Sequence, residues 1–322
     1  MTLIFAALAF AVFIVLGTPI VFALALSGVL GLMLGNFELT KLPSSMIAGS
    51  ESFVLLAIPS FVFAGTLMER CGMSYRLIDF ARALVGWMRG GLGQTTVAAE
   101  YLFSGISGSS IADVSAIGAM LTPPMLRAGY KPEHAVSIVA AASGMGVLVP
   151  PAIFMIVVGT LTNTSVVGIF LGGFVPAAVV SIALMSVIYW QAVKFDWPTD
   201  TRPSIALLLT TFRGALVPLV VPAIMLIGFR AGAFTATEAG AIIAFYSIFV
   251  ALVVYRNVGL RDIIQVAEES ALVTAAVVLL LAVATVYQFL MGMARVPQSI
   301  GQLLSPLEST PWLFLIVVAL IV

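Results

Sequence analysis

Long apolar segments separated by short polar connections run through the whole chain. A helix needs about 20 apolar residues to cross the hydrocarbon core of a membrane, and fewer where it is partly buried in protein. Most of the apolar segments approach or exceed that length, so we predict a bundle of membrane helices. The predicted segments are 2–16, 18–35, 52–69, 94–126, 134–161, 165–193, 214–230, 236–255, 270–293 and 311–322.

The composition excludes a soluble protein. Hydrophobic residues make up 61% of the chain and charged residues 9%, whereas soluble domains carry about 25% charged residues. Fourteen basic residues balance fourteen acidic ones, which gives no reason to expect nucleic acid as a partner. The single cysteine, Cys71, excludes an internal disulfide, and with the single histidine, His134, it excludes a typical zinc site.

The basic residues predict the orientation of these segments, because cytoplasmic loops carry an excess of lysine and arginine. With the N-terminus outside and 94–126 entering and leaving on one side, eleven of the fourteen basic residues lie inside. A full crossing by 94–126 would place Arg89 and Arg127 on opposite sides and weaken this bias. We therefore predict that 94–126 is a re-entrant hairpin.

A polar stretch, 196–213, divides the chain into two halves. We predict a first inverted repeat over 1–195, a cytoplasmic linker over 196–213 and a second, incomplete repeat over 214–322. Inverted repeats are a frequent plan of secondary transporters. The first half is predicted to contain scaffold helices over 2–69, an inner-surface arm over 72–90, the hairpin, a broken helix over 134–161 and a helix over 165–193.

The hairpin segment carries small polar residues and one carboxylate at membrane depth. Gly105 and Gly108 permit a bend, and backbone that leaves helical geometry in a bilayer must be buried in protein or line a cavity. Freed carbonyls and the neighbouring hydroxyls suit an alkali cation. Asp113 is an ionisable residue in the membrane and so a functional candidate, although it could also cap a half-helix. The hydroxyls belong to Ser107, Ser109 and Ser110.

The segment from Ser143 to Pro151 interrupts an otherwise uniform apolar span. Pro150 and Pro151 remove two backbone donors and expose carbonyls one turn earlier, and glycines loosen the same region. Two half-helices that meet in the bilayer offer a positive N-terminus to an anion and free carbonyls to a cation. A simple proline kink is the alternative.

Four stretches resemble the large permease subunit of tripartite ATP-independent periplasmic (TRAP) transporters. They are LLAIPSFVFAG (Leu55 to Gly65), FSGISGSSIADVSAIGAM, SGMGVLVPP and FTATEAG, and the resemblance runs in order to Val322. It implies an all-α, inverted-repeat transporter of the elevator type in the bacterial inner membrane, not an enzyme. Such subunits have two hairpins and two broken helices, work with a small four-helix membrane subunit, and receive substrate from a periplasmic binding protein.

The resemblance also implies a substrate class and a site. The substrate would be an organic acid such as sialic acid, another sugar acid or a dicarboxylate. Sodium would be the coupling ion, with no organic cofactor. The implied sodium ligands are Ser107, Gly108, Ser109, Ser110, Asp113, Ser143, Gly144 and Gly146. The implied substrate contacts are Ser109, Ser110, Val149, Pro150 and Pro151.

Three alternatives remain open at this point. The last apolar run, 311–322, is short, so we expect the second hairpin to be missing and the chain to be truncated, in which case it could be an inactive structural fragment. A one-component sodium-coupled carboxylate carrier would share the architecture. An intramembrane enzyme is disfavoured, because an aspartyl protease needs two carboxylates and only Asp113 lies in a membrane-depth motif.

Overall fold

The computed structural model describes residues 2–305 and 310–321, which are helical and contain no β-strand. Short 3-10 turns at Phe53–Leu56 and Gly144–Val147 and a π-helical turn at Val250–Tyr255 adjoin the α-helices. The α-helices are α1 (Thr2–Val15), α2 (Ile20–Leu34), α3 (Lys41–Ser50), α4 (Ala57–Arg70), α5 (Met73–Val85), α6 (Gly91–Ser107), α7 (Ser110–Arg127), α8 (Pro132–Ser143), α9 (Ile153–Thr162), α10 (Val166–Phe195), α11 (Ile205–Arg230), α12 (Ala236–Phe249), α13 (Leu260–Met293), α14 (Val296–Leu304) and α15 (Pro311–Ile321).

Five of the described helices are long and apolar enough to cross a membrane, which confirms the predicted all-α polytopic membrane fold. The elevator movement stays a prediction. Helices α1 and α2 are apolar but have only 14 and 15 residues. The five long helices are Phe53–Arg70, Val166–Phe195, Ile205–Arg230, Ala236–Tyr255 and Leu260–Met293.

Two helices begin earlier in the chain than the predicted apolar segments to which they correspond. Helix α11 begins at Ile205, inside the stretch predicted as a linker, because the Ser204 hydroxyl caps it by accepting a hydrogen bond from the Leu207 amide at 3.1 Å. Helix α13 begins at Leu260, where Asp262 accepts a bond from the Gly259 amide at 2.8 Å. Both extensions are polar in part, and a hydropathy pattern does not detect them. Helices α3 and α14 also lie in predicted connections.

The chain forms two compact units. The first unit consists of the chain up to Ser52 together with the chain from Ala275 onward. The second unit is Phe53–Thr274. In the first unit α1, α2 and the second half of α13 share a buried cluster that contains Ala6, Leu32 and Leu290. The Tyr287 hydroxyl donates to the Ala6 carbonyl at 3.1 Å within this cluster.

In the second unit α4 and α12 pack side by side in the same direction. The Thr237 hydroxyl donates to the Phe53 carbonyl at 3.4 Å near the start of both helices. Beyond their ends, the Asn257 amide donates to the Cys71 carbonyl at 3.0 Å. Parallel packing requires that both helices cross the membrane in the same direction, as the distribution of basic residues predicts.

The short stretch 196–203, here called the strap, is packed against the base of the hairpin. Trp197 is 6% exposed and stacks on Tyr130 with ring centroids 4.3 Å apart. The Asp200 amide donates to the Gly86 carbonyl at 3.0 Å, and its carboxylate pairs with Arg82 at 2.7 Å. The ion pair is partly exposed and contributes at most about 1 kcal/mol to stability. Burial of the Trp197 side chain is therefore the main interaction that holds the strap in place.

Replacing Trp197 with alanine is therefore expected to lower the free energy of unfolding by about 3–5 kcal/mol, the usual cost of deleting a buried tryptophan side chain. Trp190 is a matched control, because its side chain is 64% exposed. Thermal or denaturant unfolding of both variants in detergent measures the difference. Equal destabilisation by the two substitutions would contradict the packed strap.

The only cysteine is shielded. Cys71 lies just after α4, is 3% exposed, and burial raises the pKa of its thiol to about 11. At pH 8 the thiolate fraction is then about 200-fold lower than for a thiol of pKa 8.5, and the thiolate is the reactive form. We expect negligible maleimide labelling of the native chain at pH 8 and full labelling after denaturation, measured by mass spectrometry.

Candidate functional site

Helices α6 and α7 form an antiparallel hairpin with its tip at Gly108 and Ser109. Gly108 has a φ of +64°, a left-handed conformation that favours glycine, and Ser109 is extended. One turn to either side of the tip, the Ser104 hydroxyl donates to Asp113 Oδ2 at 2.8 Å. Near the base, Thr96 approaches Met125. Both ends of the hairpin therefore lie at the same end of this unit, as a re-entrant segment requires.

The broken helix lies directly against this tip. Helix α8 ends at Ser143, a 3-10 turn follows, and α9 begins only at Ile153, after a cis peptide bond between Pro150 and Pro151. The Ile153 amide donates to the Gly108 carbonyl at 3.4 Å. A β-carbon on Gly108 would overlap the Pro151 carbonyl oxygen. The tip thus occupies the gap between the two half-helices.

Gly146 brings the 3-10 turn against the first turn of α7. A β-carbon built on Gly146 would lie 2.6 Å from Asp113 Oδ2 and 2.7 Å from Ser110 Oγ. Such distances are well inside van der Waals contact, so the absence of a side chain is what permits this approach. A β-carbon built on Gly144, two residues earlier, would have no atom of this kind within 4 Å.

The polar groups at this contact are deeply buried. Asp113 and Ser104 are 0% exposed. The Ser110 hydroxyl oxygen is buried and has no hydrogen-bond partner among the described residues. Glu100, one turn before Ser104 on α6, is also 0% exposed, and neither of its carboxylate oxygens has a partner in that part of the chain. Buried polar groups are normally satisfied, and unpartnered ones often mark a site for an ion or water.

The structure brings some of the predicted site residues together and separates others. Ser110, Asp113 and Gly146 meet, as do Gly108 and Pro151. Pro150 lies against Gly105. Ser143 bonds back to the Ala140 carbonyl in its own helix.

The remaining predicted residues lie apart from this contact or beside it. Val149 is 1% exposed and belongs to an apolar core cluster. Ser109 lines a cavity on the α4 side of the tip. Ser107 ends α6, and its side chain is outside the described part.

Sequence reasoning missed the role of Ser104, and it left Glu100, at the mouth of the hairpin, open between a functional and a structural role. Ser104 lies four residues before Gly108, and Asp113 lies four residues after Ser109. Each residue lies about one helical turn from the tip on its own arm, so this symmetric spacing was the available signal. Glu100 continues the same face of α6 one turn further, but nothing in the sequence shows that its carboxylate is buried without a partner.

A family model for the DctM component of tripartite ATP-independent periplasmic transporters matches residues 7–322. The chain belongs to this family. It is therefore a TRAP large permease chain in the inner membrane, and it is a transport protein rather than an enzyme.

Curated relatives of this permease carry several substrate names. It is 39% identical over 300 residues to the C4-dicarboxylate TRAP transporter large permease protein of Pseudomonas aeruginosa, covering 93% of this chain and 70% of the relative. This chain is also 35% identical over 292 residues to the ectoine/5-hydroxyectoine TRAP transporter large permease protein of Ruegeria pomeroyi, covering 90% of this chain and 68% of the relative. It is 32% identical over 306 residues to the sialic acid TRAP transporter large permease protein of Vibrio cholerae, covering 95% of this chain and 72% of the relative.

Proposed function

We propose that this permease chain performs sodium-driven uptake of an organic acid. Sodium would bind where the hairpin tip meets the helix break, and the substrate carboxylate would bind beside it. A small membrane subunit and a periplasmic binding protein that delivers the substrate would be its partners. The substrate candidates are the classes that the relatives' names include, dicarboxylates and sugar acids such as sialic acid.

The observation that supports this proposal most strongly is the enclosed contact between Gly146, Ser110 and Asp113. It places a carboxylate and a buried, unpartnered hydroxyl against the backbone of a 3-10 turn. Oxygen donors of this kind suit a hard cation, and a monovalent ion would offset the charge of a buried carboxylate.

The direction of transport would follow from charge movement. Sodium from outside would bind first, order the tip against the break, and so complete the anion site between the helix ends. Each net positive charge that crosses inward gains about 2.3 kcal/mol per 100 mV of membrane potential. The loaded hairpin would then move inward as an elevator.

The purified chain in lipid nanodiscs tests the sodium site. We expect its thermal unfolding midpoint to rise with NaCl but not with KCl at the same ionic strength, because only a ligand of the folded state stabilises it. Equal midpoints in the two salts would overturn the sodium site. Co-purification with a small membrane subunit separates this assignment from a one-component carrier.

A further inference from the structure

A small cavity adjoins the hairpin tip on its α4 side. Its volume is about 130 Å³, and its walls come from α4, the hairpin, α9 and α13. Liquid water occupies about 30 Å³ per molecule, so the space holds roughly four waters or a ligand group of similar size. The polar lining residues are Thr66, Glu69 and Ser109.

The wall of this cavity is acidic. Glu69 is the charged residue among those that line it, and the lining includes no basic residue. The charge of the next residue, Arg70, acts on Glu69, but its guanidinium donates its hydrogen bonds to Glu269 at 2.6 Å and to Gln265 at 3.2 Å. No hydrogen bond or salt bridge to the Glu69 carboxylate occurs within the described residues.

A carboxylate that makes no salt bridge selects against some ligands and for others. A dianion that entered from the tip would meet a like charge, with no basic residue in the cavity wall to compensate it. A ligand with a positive or strongly hydrogen-donating group would form a charge-assisted hydrogen bond to Glu69. The hydroxyls of Thr66 and Ser109 could accept or donate further bonds.

We propose that this cavity is the subsite for a cationic group of the substrate, with Glu69 as its acceptor. The preferred substrate is then a compact zwitterion, whose carboxylate binds at the hairpin tip and whose positive group enters the cavity. This inference rests on the proposed function, because it assumes that substrate binds at the tip, and it favours a zwitterionic organic acid over the dicarboxylates and sugar acids named there.

Ligand affinities of the purified chain in nanodiscs with NaCl test the inference. The probes are ectoine, a cyclic amidinium carboxylate, and succinate, a dianion of similar size. We expect the wild type to bind ectoine more tightly than succinate. Glu69→Gln should raise the Kd for ectoine at least about tenfold and leave or lower the Kd for succinate, since it removes the acceptor charge.

Glu268→Gln is the matched control, because Glu268 is exposed on α13 and lines none of this cavity. It should leave both affinities unchanged. Tighter binding of succinate than ectoine by the wild type, or an unchanged ratio in Glu69→Gln, would overturn the inference while leaving sodium-coupled transport intact. If sodium does not stabilise the chain and neither solute binds, the proposed function fails, and the inference fails with it.

Discussion

Replacing Gly146 with alanine is expected to abolish the stabilisation of the chain by sodium. The new methyl group would lie 2.6 Å from Asp113 Oδ2 and 2.7 Å from Ser110 Oγ, which is too close without a shift of the 3-10 turn away from α7. Overpacking of this kind costs about 1–3 kcal/mol, and here it separates the oxygen donors of one site. We expect a loss of sodium affinity of more than about tenfold, which corresponds to more than about 1.4 kcal/mol.

The chain provides a control for this variant two residues away. Gly144 belongs to the same 3-10 turn, and an alanine there meets no atom within 4 Å. Gly144→Ala should keep both the fold and the sodium response, measured as the unfolding midpoint against NaCl concentration. If Gly146→Ala responds to sodium as Gly144→Ala does, the contact between turn and hairpin has no part in ion binding.

Replacing Asp113 with asparagine is expected to have a comparably large effect through charge rather than shape. Asparagine keeps an acceptor for the Ser104 hydroxyl, so the hairpin should still fold. It removes the negative charge that would compensate a sodium ion. Substitution of residues that only hydrogen-bond to metal ligands lowers metal affinity about 10- to 100-fold. We expect the loss of sodium affinity in the Asp113 variant to be at least as large.

Asp79→Asn is the control for the charge change, because Asp79 is exposed on α5. Sodium titrations of the unfolding midpoint should shift for the Asp113 variant and stay constant for the Asp79 variant. A Ser104→Ala variant should show a smaller loss, since it removes one hydrogen bond to the carboxylate. Full retention of sodium affinity without the Asp113 charge would exclude this carboxylate from the site.

The elements that position the site were predictable from local sequence. Glycines and serines around Gly108 indicated a bend, and Pro150 with Pro151 indicated a helix break, because these residues change backbone geometry wherever they occur. The basic residues near both ends of 94–126 indicated that the segment returns to its own side. In each case a property of a few neighbouring residues determined the structure.

The contacts across the site were not predictable, because they depend on tertiary packing. Gly144 and Gly146 look equivalent in the sequence, yet only Gly146 meets the hairpin. The exposure of Glu69 to a cavity depends on α13, about 200 residues later in the chain, and on the hairpin tip. The strap was predicted as part of a polar linker, since a single tryptophan at Trp197 gives no periodic signal of burial.

The side of the membrane on which each end of the hairpin emerges can be measured directly. Arg89→Cys and Arg127→Cys flank it, and Arg230→Cys at the end of α11 marks the opposite face; the shielded native Cys71 should contribute little background. In oriented vesicles, a membrane-impermeant maleimide should label positions 89 and 127 from the cytoplasmic face and position 230 from the other. Labelling of 89 and 127 from opposite faces would contradict the re-entrant hairpin.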